Sequence, residues 1–218
     1  MSVNLCVWGD FACFTRPEMK VERVTYDVIT PSAARGVVEA VYWKPEIRWR
    51  IDRIHVLNPI RFTSLRRNEV ASKVPATSVA RAMKTGKGNL GLFIEDDRQQ
   101  RAATILRDVA YIIEARFDIL SGEPNAGKHL DQFNRRARDG RCFHRPVLGC
   151  REFPADFSLI EDGQAMPAAA PELRGERDLG YILHDIDFAH GMTPRFFRAT
   201  LRDGVLDVPP FEAKEVQR

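Results

Sequence analysis

Alternation of apolar and polar residues marks several segments as strands. Asn4 to Thr15 is dense in strand formers (Leu5, Val7, Trp8, Phe11, Phe14), and Gly9 within it suggests a bulge. Ile47, Trp49 and Ile51 alternate with Arg48 and Arg50, and Ile54 to Phe62 continues as strand with a break at Pro59. Val109, Tyr111, Ile113, Ala115, Phe117 and Ile119 line one face of a long strand, opposite Ile112, Glu114, Arg116 and Asp118. A further strand is expected between Arg145 and Phe153.

Two segments carry the helical period instead. Thr30 or Ser32 can cap the first, Pro31 suits its first turn, and Ala33, Val37, Ala40 and Val41 recur at helical spacing. Pro45 stops it, which leaves Tyr42 and Trp43 at its C-terminal end. The second follows a loop from Ser121 to Gly127, with Leu130, Phe133 and Ala137 as the buried stripe and Gly140 suited to its end. Between the middle strands, Arg66 to Gly91 has weak periodicity and much charge, and reads as an extended basic arm or hairpin.

The resulting order, β-α-β-β-α-β with a long insertion, predicts an α+β fold: a ferredoxin-like split βαβ domain, the topology of RNA-recognition domains, over residues 1–154. After Pro154 the texture changes. Ala165 to Pro171 is a small-residue loop, and Tyr181 to His190 and Arg195 to Val208 are strand-like. Asp203-Gly204 between apolar runs signals a tight hairpin. Residues 155–218 are therefore expected to form a small C-terminal antiparallel β subdomain.

Composition narrows the function classes. A hydrophobic share of 44% over 218 residues suffices for a real core, yet no apolar run has the length of a membrane span. The start of the chain lacks the basic-then-apolar pattern of a signal peptide, so a cytoplasmic protein without membrane contact is expected. Cys6, Cys13, Cys142 and Cys150 form no C-x-x-C pair, and read as reduced thiols rather than zinc ligands. The net charge of +3 is modest, but basic residues cluster from Arg61 to Lys87 and from Lys128 to Arg151. Two such clusters suggest a polyanionic partner, against the plainer alternative of two solvated faces.

Three constellations hold residues able to do chemistry. In Gly127-Lys128-His129, a lysine sits where a loop enters a helix. It opposes the helix dipole there, and makes sense if a phosphate sits on the exposed N–H groups. His129 can exchange protons near neutral pH. Without a partner, the same residues are an exposed Lys-His pair in a loop. Tyr42-Trp43-Lys44-Pro45 can present a tyrosine hydroxyl to a cleft, with Trp43 read as core. Lysine, histidine and tyrosine together supply what metal-free RNA cleavage needs: a base for the 2′-hydroxyl, a cation for the phosphorane and an acid for the leaving 5′-oxygen. His184 to His190 contains metal-ligand residue types, but strand alternation turns the two histidines one way and Asp185 and Asp187 the other, so no metal or cofactor is expected.

Longer blocks carry a family resemblance. VWGDFACFTRPEMKVERVTYDVITPSAARGVVEAVYWKP, Arg66 to Val70, RQQRAATILRDVAYIIE (98–114), NAGKHLDQFNRRA, LGCREFP, RDLGY and MTPRFF resemble the CRISPR-associated Cas-five family, subtype I-C or Dvulg, over nearly the whole chain. The resemblance implies a ferredoxin-like domain of the RAMP class followed by a small β domain. It implies a metal-independent endoribonuclease that cuts the hairpin of CRISPR repeat RNA, leaving a 5′-hydroxyl on the guide and a cyclic phosphate on the other fragment. The protein would then stay on the 5′ handle as a subunit of the Cascade surveillance complex, alongside backbone and large subunits and, within the complex, target DNA. A structural subunit that caps the guide without cutting is the alternative. The family's catalytic tyrosine precedes Trp-Lys-Pro, which corresponds to Tyr42. Its glycine-preceded lysine-histidine pair corresponds to Lys128 and His129. Lys128 would hold the scissile phosphate and His129 would exchange protons, while either Tyr42 or His129 would act as the base. Arg66, Arg67, Lys73, Arg135 and Arg136 are candidates for phosphate contacts with RNA. The glycine-rich loop of related RNA-binding repeat proteins is not evident near the C-terminus.

Overall fold

The computed structural model describes residues 2–19, 21–88, 90–120 and 125–217. The expected loop from Ser121 to Gly127 therefore falls largely outside the described residues. Its tail is helix cap and first turn.

The elements run β1 (Ser2–Ala12), α1 (Pro31–Val41), β2 (Ile47–Val56), β3 (Phe62–Val70), α2 (Ala76–Thr85), β4 (Arg98–Ile119), α3 (Ala126–Arg138), β5 (Asp156–Ile160), β6 (Glu176–Asp187), β7 (Thr193–Arg202) and β8 (Val205–Asp207). The fold is α+β. Its strands form one eight-stranded sheet in the order β5-β1-β4-β2-β8-β7-β6, with β3 also pairing β4. Each named strand pairing is antiparallel.

The 22 residues of β4 are the spine. Along one edge β4 pairs with β1, and along the other with β2 at its C-terminal half and β3 at its N-terminal half. The break expected at Pro59 separates β2 from β3. Asp108, at φ 52°, bends β4 at the same level. Before the bend, Ala103, Ile105 and Leu106 of β4 are still in the core, with Leu65 of β3 packed against it; the outer ends of β3 and β4 then run out as a two-stranded arm ending in α2, a helix with no buried residue. The arm was expected, but its helix was not. Val79, Ala82 and Met83 do share one face of α2, but the helix is short, lies within a charged stretch and buries none of them, so nothing in the core signals it.

One sheet face is apolar. Val3, Leu5 and Val7 of β1 join Ile47, Trp49 and Ile51 of β2 and Tyr111, Ile113 and Ala115 of β4 in the core. A register shift between Ile51 and Arg53 moves the buried set of β2 from 47, 49 and 51 to 54 and 56. Such a bulge places two consecutive residues against one partner, and so reverses which side chains face the core. α1 forms as expected: Thr30 Oγ1 accepts from Ala33 N at 3.3 Å, Pro31 opens the helix, and Pro31, Ala34, Val37, Val38, Ala40 and Val41 are buried.

Three expectations change. Gly9 marks no bulge, since the β1–β4 register is constant through it. It is small because the 148–154 loop lies on it: a Cβ there would sit 2.7 Å from Leu148 Cδ1 and 3.0 Å from Pro154 O. The strand expected between Arg145 and Phe153 is instead an irregular loop, and the edge strand is β5 at Asp156–Ile160. Gly149 shows why. It adopts φ +88°, and a Cβ would lie 2.1 Å from the Cys13 carbonyl oxygen, so the chain turns here. Finally, the sheet runs past residue 154, because β5 pairs with β1 and β8 pairs with β2. The hairpin turn at Asp203-Gly204 is present, with φ of 48° and 80°. No described helix is long and apolar enough to cross a membrane.

Candidate active site

Tyr42 ends α1. Its N–H donates to Val38 O at 3.1 Å, and its own backbone is already extended, with φ −153° and ψ 120°. Three contacts hold this end in place. Trp49 Nε1 donates to Tyr42 O at 2.8 Å, Arg136 donates to Val41 O at 3.1 Å, and Phe143 N donates to Ala40 O at 2.8 Å. They satisfy carbonyls that a helix terminus leaves open. The Arg136 guanidinium also lies 5.4 Å from the centre of the Tyr42 ring, a cation–π contact.

His129 comes from the first turns of α3, where His129, Phe133 and Ala137 form the buried stripe. The sequence expectation put Leu130 in that stripe. Phe133 and Ala137 are buried as expected, but in the first turn His129 takes the inward place and Leu130 lies at the margin, partly buried against the core. As a result Tyr42 and His129, 87 residues apart, meet in a buried hydrogen bond of 3.0 Å between the phenol oxygen and Nδ1. Both residues are 2% exposed. Phe117 stands edge-on to the imidazole at 6.0 Å, and Trp49 packs on Phe117 and Phe133 at 5.2 and 4.9 Å.

The Nε2 atom of His129 is buried and has no hydrogen-bond partner among the described residues. Such an atom is costly unless something else engages it. The shared proton at Nδ1 sets its character. If the phenol donates to Nδ1, Nε2 carries a hydrogen. If Nδ1 donates to the phenol oxygen, Nε2 offers a lone pair. Burial raises the Tyr42 phenol above its ordinary pKa; Arg136 works against this and Glu46 adds to it. Tyrosinate is therefore disfavoured near neutral pH, and within the pair the imidazole is the better base.

Lys128 does not share this environment. One residue along a helix is about 100° of rotation, so its side chain is exposed while that of His129 is buried. Its backbone N–H is taken by the cap, donating to Asn125 Oδ1 at 3.1 Å. Asn125 went unnoticed in the sequence, although asparagine is among the best N-caps.

The expected RNA-contact residues divide. Arg66 and Lys73 are exposed on the arm, and no hydrogen bond or ion pair engages their side chains among the described residues. Arg67 faces the other way and is tied to Glu152 and, at 3.5 Å, to Glu69. Arg135 is exposed on α3, whereas Arg136 is the internal brace already described. Much of the second basic cluster is matched internally, since Arg138 pairs with Glu161 at 2.7 Å and Arg145 with Asp156. The arm carries the more open positive surface.

The His184–His190 segment departs from strand alternation. A short 3-10 turn over Phe188–His190 folds His190 back onto Asp187, with Nδ1 2.9 Å from Oδ1. Arg195 holds the other Asp187 oxygen at 3.0 Å, and His184 Nε2 lies 2.7 Å from Pro209 O. Among the described residues, no group of three or more metal-ligating side chains comes together.

A family model described as CRISPR-associated protein (Cas_Cas5) matches residues 2–209. The chain belongs to this Cas5 family. Two relatives of this Cas5 chain carry the name "CRISPR pre-crRNA endoribonuclease Cas5d". The protein of Mannheimia succiniciproducens is 58% identical over 221 residues, covering 99% of this chain and 98% of its own. That of Thermus thermophilus is 40% identical over 235 residues, covering 97% and 93%. A solved structure described as a CRISPR-associated protein superposes with a TM-score of 0.70 at 21% identity, covering 100% of this Cas5 chain and 97% of its own, which supports the fold.

Proposed function

We propose that this Cas5 chain is a pre-crRNA endoribonuclease of subtype I-C. It cuts the repeat hairpin without a metal, and stays on the 5′ handle of the guide RNA as a subunit of a Cascade surveillance complex in the cytoplasm. The observation that carries the reading is the Tyr42–His129 hydrogen bond, which joins two of the three family catalytic positions across the core. The two relatives named as pre-crRNA endoribonucleases support it.

In the proposed reaction His129 Nε2 takes the 2′-hydroxyl proton. The 2′-oxygen forms a bond to phosphorus while the bond to the 5′-oxygen breaks, leaving a cyclic phosphate and a 5′-hydroxyl. Tyr42 holds the imidazole through Nδ1 and accepts from it as charge develops. Lys128 neutralises the phosphorane and supplies the proton to the departing 5′-oxygen. Because His129 and Tyr42 are closed to solvent in the free chain, RNA must open this site as it binds. That closure also favours the second reading, a capping subunit in which the pair is only structural.

The test is incubation with repeat RNA in chelator. Cleavage by wild type supports the enzyme, and a chelator-abolished activity overturns metal independence. Lys128→Ala is expected to lower the cleavage rate about a hundredfold with little loss of hairpin affinity. Equal losses in both would make Lys128 a phosphate grip only. For the arm, Arg66→Ala is expected to weaken hairpin binding and reduce its log–log salt slope by about 0.7–0.9. Arg67→Ala, which removes an internal ion pair, should leave that slope unchanged. Titrations of affinity against salt separate the two.

The β5-β1-β4-β2 order, with α1 and α3 contacting these strands, supports reading this part as a ferredoxin-like, RAMP-type RNA-binding unit with the arm inserted. Since β5 serves as its edge strand, the division we propose between this unit and the small β subdomain lies after Ile160 rather than at 154.

A further inference from the structure

Phe143 is an unusual surface residue. Its side chain is 82% exposed, yet its backbone is pinned by the 2.8 Å bond from its N–H to Ala40 O at the end of α1. His144 N reaches the same carbonyl at 3.4 Å, and the His144 ring braces Phe143 edge-on at 5.9 Å. A large apolar ring held out in water by a fixed backbone loses apolar burial that any polar residue would not need. It suits a partner with a flat π-face.

The surroundings suggest which one. Lys128, Asp131, Arg135 and Arg138 form the solvent-facing stripe of α3. Arg138 is engaged by Glu161, so Lys128 and Arg135 remain as the open cations, two turns apart. After the helix, Arg141 N bonds to Arg136 O at 2.8 Å, and the Arg141 side chain is 77% exposed, with one long contact of 3.6 Å to the Asp139 carboxylate that leaves most of its guanidinium open. The stripe thus leads from Lys128, past Arg135 and Arg141, to Phe143. Between His129 and Arg136 α3 rises about 10 Å. At about 3.4 Å per stacked nucleotide, that is two to three nucleotides.

We propose that Phe143 stacks on a nucleobase of the bound RNA two to three nucleotides from the scissile phosphate, while Arg135 and Arg141 hold the phosphates between that base and Lys128 at the cut. This positioning role rests on the nuclease reading above. Stacking is sequence-tolerant, so Phe143 sets where the strand lies rather than which base is read.

The test uses repeat RNA carrying a 2′-deoxy block at the mapped cut and 2-aminopurine at the second or third nucleotide on either side. Wild type is expected to quench the fluorophore at one of these positions. Phe143→Ala should lose that quenching and bind roughly 5- to 150-fold more weakly, and Phe143→Tyr should restore both. With its ring exposed, Phe143 can be replaced without touching the core. Quenching that is absent in wild type, or equal in wild type and Phe143→Ala, overturns the proposal, and would leave Phe143 to a protein partner. Cleavage of unblocked RNA by wild type is scored in parallel. Its absence counts against the nuclease reading, whereas cleavage without Phe143-dependent quenching counts against this inference alone.

Discussion

His129→Ala is expected to lower single-turnover cleavage of the repeat hairpin by about 10²–10⁴-fold, with hairpin affinity kept within a few fold. The reason lies in where the imidazole stands. Its Nδ1 is bonded to Tyr42, and its Nε2 is the one buried polar atom of the pair without a partner among the described residues. In the proposed reaction, removing the ring removes the base but no exposed cation, so phosphate contacts survive. Tyr42→Phe is expected to be milder, since it keeps the base and loses only the group that orients it. Because burial raises the Tyr42 pKa, the wild-type rate should show no ionisation step from tyrosinate at neutral pH. Stopped-time gels and filter binding on the same preparations decide the matter. Full cleavage by His129→Ala would show that the buried pair is structural and that His129 is not the base, whereas no cleavage by wild type would favour the capping subunit.

The largest expected effect on stability belongs to Trp49→Ala, at about 3–5 kcal/mol. Trp49 is 2% exposed, packs on Phe117 and Phe133, and donates its indole N–H to Tyr42 O. Truncation leaves a cavity under α3 and an unbonded carbonyl at the end of α1, which are separate costs. Urea unfolding of the two proteins measures the difference. A loss below about 1 kcal/mol would mean that the sheet collapses onto the gap and that Trp49 is not central to the core. Because the same residue holds Tyr42 and backs α3, cleavage should fall together with stability.

Local chemistry made several features legible in the sequence. α1, from the Thr30 cap to the Pro45 stop, needs only neighbours within a few residues, as does the Asp203-Gly204 hairpin turn. The long alternation of β4 could be read because one sheet face is apolar and the other is polar apart from a small buried patch of Leu57, Ile112 and Ile160. The short α2, which buries no residue, was lost within its charged surroundings, and the loop from Arg145 to Phe153 carried a misleading pattern. Its apolar residues, Leu148, Cys150 and Phe153, are buried by a turn against β1 rather than by strand pairing.

The same distinction governs the site. The residue types and family blocks singled out Tyr42, Lys128 and His129 before any geometry was known. Only the tertiary structure decided that His129 turns inward to Tyr42 while Lys128 turns outward, because the rotation of α3 follows from which of its residues pack against the sheet. Only it separated Arg66 from Arg67 and Arg135 from Arg136, since adjacent residues on a strand or helix face different surroundings. Whether an arginine is free to meet a phosphate depends on acids and carbonyls distant in sequence: Glu152 for Arg67 and the end of α1 for Arg136. The sequence by itself determined the chemistry available to this protein, and long-range packing determined which of those groups face one another.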